Sequence, residues 1–172
     1  MNPELDSAAF NAAAAFNPAL DLGLERVIRA PRDLVWRAWT DPDRFARWWI
    51  PAPLVCRVDR LEARPGGALV TRMSEDGSAF VPHLDGCFLV VEDRVRLVFT
   101  NGLDSDWRPA RPQPVSMTAE IMLADHPDGT DYRVRVRHGD PESRELHEEL
   151  GFAEGWSTVT AQLAALTEAE TG

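Results

Sequence analysis

A chain of 172 residues with 44% hydrophobic and 27% charged residues is read as one globular domain, long enough to bury a sizeable core. A formal net charge of -10 excludes a phosphate-tracking nucleic-acid binder and disfavours docking on an anionic membrane. No apolar run approaches the ~18 residues of a membrane span, the start MNPELDSAAF has no signal-peptide pattern, and Cys56 and Cys87 form no CxxC, so a cytoplasmic protein with reduced thiols is expected.

In chain order, residues 1–20 form an Ala-rich arm, with NPELD at 2–6 nearly repeated as NPALD at 17–21. Each Asn-Pro suits a helix start, and a short helix is predicted from about Pro3 to Ala15. Leu5, Phe10 and Phe16 are its candidate anchors, either on its own domain or on a second subunit, which leaves a homodimer open. The domain proper is 21–172 and opens with a strand, LGLERVIRA at 22–30. Pro31 then begins a helix with Leu34, Val35, Ala38 and Trp39 at helical spacing. Asp41-Pro42 begins a second short helix through Trp49, ended by Pro51 and Pro53.

Six strands follow, predicted at 55–63, 67–74, 79–91, 94–101, 115–124 and 131–138. Arg64-Pro65-Gly66-Gly67 fits a type II turn, and Asp76-Gly77 and Asp128-Gly129 are hairpin signals. In the last strand, Tyr132, Val134, Val136 and His138 share one face and Arg133, Arg135 and Arg137 the other. A hairpin at Asp128-Gly129 places Glu120 opposite Arg135, as an outer charge pair, and Met117 opposite His138. One long helix is predicted from about Pro141 to Glu168. Its stripe of Phe152, Trp156, Val159, Leu163 and Leu166 is offset from Leu146 and Leu150, and the change falls at Gly151. Gly151 and Gly155 are expected to let this helix bend or approach the sheet closely. The resulting architecture is α+β, a curved antiparallel sheet wrapped around a long C-terminal helix, with a cavity where the two fail to meet.

The stretch LERVIRAPRDLVWRAWTDPDRFARWW, the RPGG turn and the closing HEELGFAEGWSTVTAQLAAL resemble the SRPBCC superfamily of START-like, helix-grip proteins over about residues 20–167. The branch they resemble is named for the activator of heat-shock protein 90 ATPase, in a superfamily that also holds polyketide-cyclase-like proteins. The arm extends beyond the family core, and the extra N-terminal domain of the eukaryotic co-chaperone has no counterpart, so the branch name implies no activity here. In that branch matching histidines stand at positions 138 and 147, and Trp107-Arg108-Pro109 is similar to an aromatic-Arg-Pro motif.

The chemical signals are sparse. His147-Glu148 begins a zincin motif, but position 151 is Gly where the second His is needed, so no metal is expected. Gly151 to Gly155 spells GxxxG, a motif whose meaning belongs to membranes. No nucleophile sits beside a base, and no cofactor is expected. The leading expectation is binding of a small, mainly apolar molecule, with Phe99, Met117, Phe152 and Trp156 as walls and Trp107, Arg108, His138 and His147 as further contacts. A cyclase- or hydrolase-like enzyme using a pocket histidine is the alternative, and a protein-interaction or co-chaperone-like module the second.

Overall fold

The computed structural model describes residues 15–172. The predicted arm helix and its anchors Leu5 and Phe10 lie outside the described residues. Phe16 lies within them and takes up the guanidinium of Arg135, 5.7 Å from the ring centroid, so it contacts its own sheet.

Strand β1 (Asp21–Ile28) leads into helices α1 (Arg32–Thr40) and α2 (Pro42–Phe45). The Asp41 carboxylate caps α2, accepting from the backbone N–H of Asp43 and Arg44, as the Asp-Pro pair predicts. Strands β2 (Val55–Leu61), β3 (Ala68–Ser74), β4 (Val81–Glu92) and β5 (Arg96–Thr100) form a meander. A two-residue pair, β6 (Leu103–Asp104) with β7 (Arg108–Pro109), interrupts it before β8 (Thr118–His126) and β9 (Gly129–Arg137). The main sheet has seven strands in the order β1-β9-β8-β5-β4-β3-β2, with antiparallel neighbours throughout. Register shifts between β2 and β3, β3 and β4, and β4 and β5 insert bulges, which bend strands and deepen the curl.

The β8–β9 register places Glu120 opposite Arg135, as expected from sequence. The charge pairing differs. Glu120 is buried, and its carboxylate meets Arg137 at 2.7 Å and Arg96 at 3.3 Å, while Arg135 turns to Phe16. Diagonal partners across a ladder lie within reach of long side chains, so register alone does not choose the ion pair.

The core centres on five aromatic rings. Trp39 lies 4.9 Å from Trp48, 5.5 Å from Trp49, 5.6 Å from Phe45 and 6.0 Å from Phe99, centroid to centroid. Above them, the predicted single C-terminal helix is two helices, α3 (Pro141–Glu149) and α4 (Phe152–Ala169). The break is Gly151, whose φ of 96° is left-handed. Its N–H closes α3 on Glu148, and its carbonyl accepts the N–H of Gly155 to open α4. The change of apolar stripe therefore marks a helix boundary.

Helix α4 buries Phe152, Trp156, Val159, Leu163 and Ala164, whereas α3 has no buried residue. Gln162 fixes α4 in place. Its amide donates to the carbonyls of Trp48 (2.8 Å) and Ile50 (3.0 Å) and accepts from Ala52 N–H (2.8 Å).

Gly155 does not approach the sheet, because a Cβ built there meets no heavy atom within 4 Å. Its cost to the helix is therefore not repaid by close packing. Gly155→Ala is expected to raise stability by about 1 kcal/mol, the difference in helix propensity, read from the urea midpoint at constant m-value. A loss of stability would show that position 155 has a backbone need that its helical conformation conceals.

Candidate functional site

A cavity of about 320 Å³ opens between the sheet, the loop preceding β8 and the start of α4. Helix α4 contributes Phe152, Gly155, Trp156 and Val159. The loop contributes Gln113, Pro114 and Val115, followed by Met117. Trp49 and Pro51 come from the segment after α2, and His83 and Leu84 from β4. Asn101 adds a polar wall, and His147, Leu150 and Gly151 close one side. The lining is mainly aromatic and aliphatic.

The residues singled out in the sequence divide into three sets. Met117, His147, Phe152 and Trp156 line the cavity. Phe99 and His138 stand behind it. Phe99 is fully buried against Trp49 at 6.0 Å, and His138 is buried behind His147. Trp107 and Arg108 lie elsewhere. Trp107 is 55% exposed, and its indole covers Gly66, where an added Cβ would lie 3.1 Å from the ring. Arg108 is exposed and faces Asp104 in the β6–β7 pair. The aromatic-Arg-Pro motif thus locks a hairpin onto the RPGG turn, with Asp106 N–H donating to the Gly66 carbonyl at 2.8 Å.

Trp49, His83, Asn101, Gln113 and Gly155 line the cavity without having been picked out for it. Trp49 reads as core from its spacing, and only Val159 carried a signal, its place on the stripe with Phe152 and Trp156. Asn101 is engaged at both ends of its amide. Its amide donates to the Val115 carbonyl and its Oδ1 accepts the Met117 N–H, both at 2.8 Å, which holds the loop in place. Several groups of the wider core, among them the Trp39 and Trp49 indole N–H groups and the Tyr132 hydroxyl, are buried without a regular hydrogen-bond partner. Burial holds the Tyr132 phenol well above its ordinary pKa.

One polar edge of the cavity is His147, which is backed by His138. His138 follows β9, and its backbone N–H and ring Nδ1 both reach the Leu20 carbonyl, at 3.0 and 2.9 Å. Its Nε2 lies 2.8 Å from Nδ1 of His147 on α3. The His147 ring meets Phe152 edge-on at 5.2 Å. Asp140 caps α3 by accepting the Ser143 N–H at 2.7 Å, and the Ser143 hydrogen bonds foremost hold its carboxyl below the usual range. Burial, helped by the neighbouring His138, pushes the His147 pKa down to about 4.

This shift predicts a pH dependence. The unfolded His147 titrates near 6.5 and the folded one near 4, so between these values the unfolded chain binds more protons. The contribution of His147 is therefore present above pH 6.5 and is lost as the pH falls towards 4. Urea melts across this range are expected to show a steeper loss for the wild type than for His147→Phe. Equal slopes would remove His147 from the linkage.

Comparison with other proteins places this geometry in a family. A protein of Nitrosomonas europaea shares 40% identity, with 90% of this chain and 98% of that one covered and a TM-score of 0.80. A protein of Chromobacterium violaceum shares 29% identity over 86% of this chain and 96% of the other, with a TM-score of 0.66. An Aeromonas hydrophila protein described as AHSA1-like has the same fold at 23% identity and a TM-score of 0.64, with 87% and 93% of the two chains covered. No curated protein matches at a significant level. Residues 29–168 match the family described as Activator of Hsp90 ATPase homolog 1-like protein, and with most of its length inside that match the chain belongs to this family.

Proposed function

We propose that this protein binds a small, mainly apolar molecule in the cavity between the sheet and α4. The observation that carries the reading is the cavity itself, about 320 Å³ with Trp49, Leu84, Met117, Phe152, Trp156 and Val159 among its walls. That volume and lining suit a small-molecule site, in which apolar walls supply affinity and a few polar groups set orientation. Cys56 and Cys87 are both unpaired, which supports a reducing compartment such as the cytoplasm. The net charge of -10 is in keeping with a partner other than nucleic acid.

The enzyme reading relies on a pocket histidine as general base. A base with a pKa of about 4 is unprotonated at neutral pH but takes a proton weakly, which favours His147 as a hydrogen-bond acceptor over a catalyst. The co-chaperone reading draws on the family's name alone.

The test uses N-phenyl-1-naphthylamine, an uncharged apolar dye whose emission rises when it is buried. Saturable binding is expected for the wild type. Gly155→Trp projects an indole from a helical position that faces open space, and it is expected to abolish binding while the circular dichroism spectrum is retained. Absent binding, or equal binding by the variant, would overturn the cavity as the site.

A further inference from the structure

The hydrogen-bond chain that ends in the cavity has a fixed direction. A carbonyl oxygen only accepts, so the Leu20 carbonyl, 2.9 Å from Nδ1 of His138, requires a hydrogen on that nitrogen. A neutral imidazole carries one N–H, so Nε2 of His138 holds a lone pair. Its partner at 2.8 Å, Nδ1 of His147, must then be the donor. Neutral His147 has therefore committed its single hydrogen to His138, and its own Nε2 is a bare acceptor.

The direction of that acceptor follows from the ring. Nδ1 of His147 faces His138, which does not line the cavity, whereas His147 does. The two nitrogens flank Cε1 and point in different directions, so with Nδ1 taken by His138, Nε2 is the nitrogen that can face the cavity. Among the described residues no hydrogen bond reaches Nε2 of His147, whose one side-chain bond runs through Nδ1. Asp140 is held ionised by Ser143, Glu148 is paired with Arg144 on the same helix, and both polar ends of Asn101 are engaged. Across the cavity, Nδ1 of His83 is taken by the Thr71 hydroxyl at 3.0 Å.

We propose that the cavity selects apolar molecules bearing a hydrogen-bond donor, a phenol or an alcohol, whose hydroxyl hydrogen is received by Nε2 of His147. This rests on the reading of the cavity as a binding site and adds the chemical class of its ligand. His138 is a positioning residue, because it acts by fixing which nitrogen of His147 is bare. An ether of the same shape brings a lone pair against a lone pair and leaves Nε2 buried without a partner, a loss that corresponds to about 10-fold or more in affinity.

The experiment titrates the full chain near neutral pH with 2-naphthol and 2-methoxynaphthalene, which share a ring body and differ in the donor. The naphthol is expected to bind about 10-fold more tightly. His147→Phe is expected to close that gap while the ether still binds. His138→Phe frees His147 to carry its hydrogen on either nitrogen and is expected to narrow the gap with ether affinity unchanged. Equal affinities in the wild type would overturn the donor assignment and leave the cavity reading standing, whereas binding of neither probe would overturn both. An undiminished gap in His138→Phe would overturn the relay. Nitrogen-15 spectra of the wild type provide a readout that does not depend on a variant folding. Hydrogens are expected on Nδ1 of both rings, and a hydrogen on Nε2 of His147 would overturn the proposal.

Discussion

Trp39→Ala is expected to remove about 3–5 kcal/mol of stability, read by urea denaturation. A domain of this size has about 5–15 kcal/mol in total, so the variant should sit near the edge of folding. Trp39 has no exposed surface and packs against Phe45, Trp48, Trp49 and Phe99. Truncation loses the transfer free energy of an indole and leaves a void walled by rigid rings, which collapse poorly around it. One effect opposes this. The Trp39 indole N–H has no regular partner, so its removal relieves a buried unsatisfied donor. That relief is smaller than the packing loss, because the Tyr132 hydroxyl beside it already offsets part of the cost. A loss below about 1 kcal/mol would mean that the aromatic cluster repacks freely around the void.

Gly67→Ala is expected to destabilise by about 1–3 kcal/mol, opposite in sign to Gly155→Ala. A Cβ at Gly67 would lie 2.0 Å from the Glu62 carbonyl oxygen and 2.9 Å from that of Arg64. Both obstacles are backbone, so no side chain can swing aside. The surrounding bonds are also tied down. Gly67 N–H donates to Arg64, its carbonyl accepts from Phe88, and Glu62 and Ala68 are bonded to each other. Relief therefore requires moving the β2–β3 turn, which carries Gly66 and the Trp107 indole above it. Thermal melts of the two glycine variants side by side provide the check, and a neutral Gly67→Ala would show that the RPGG turn tolerates a second backbone path. The turn was recognisable in the sequence as Pro and Gly at the positions a type II turn demands. Gly66 has the expected positive φ of 79°. The steric need at Gly67 was not visible, because Glu62 approaches it only once β2 and β3 are paired.

The same division holds at the site. Phe152 and Trp156 could be found because helical spacing puts them on one inward stripe, and Met117 because it lies on the predicted strand 115–124 opposite His138. Trp107 and Arg108 stand away from the cavity. Their motif suits a loop lock somewhat better than a cavity cap, and Trp107 docks on Gly66 in keeping with the first. His138 was legible as the last inward position of the predicted strand 131–138, but its link to His147 was not. That link needs the Asp140-Pro141 helix start to turn the chain back and Gly151 to break the helix, so that α3 lies across the end of the strand.

By itself the sequence determined the strand alternation, the order of the main-sheet strands along the chain and the Asp-Pro helix starts, because each depends on neighbours a few residues apart. It also carried the resemblance to the family over nearly the whole chain. The tertiary structure decided which apolar residues wall a void and which fill the core, since Trp49 and Trp39 have the same local signal and pack against each other, yet only Trp49 reaches the cavity. It decided the ion partners of Glu120 and the bare nitrogen of His147 as well. Each of these depends on long-range contacts between segments far apart in the chain, and no local pattern of residues encodes the direction of a hydrogen bond that runs from Leu20 through His138 to His147.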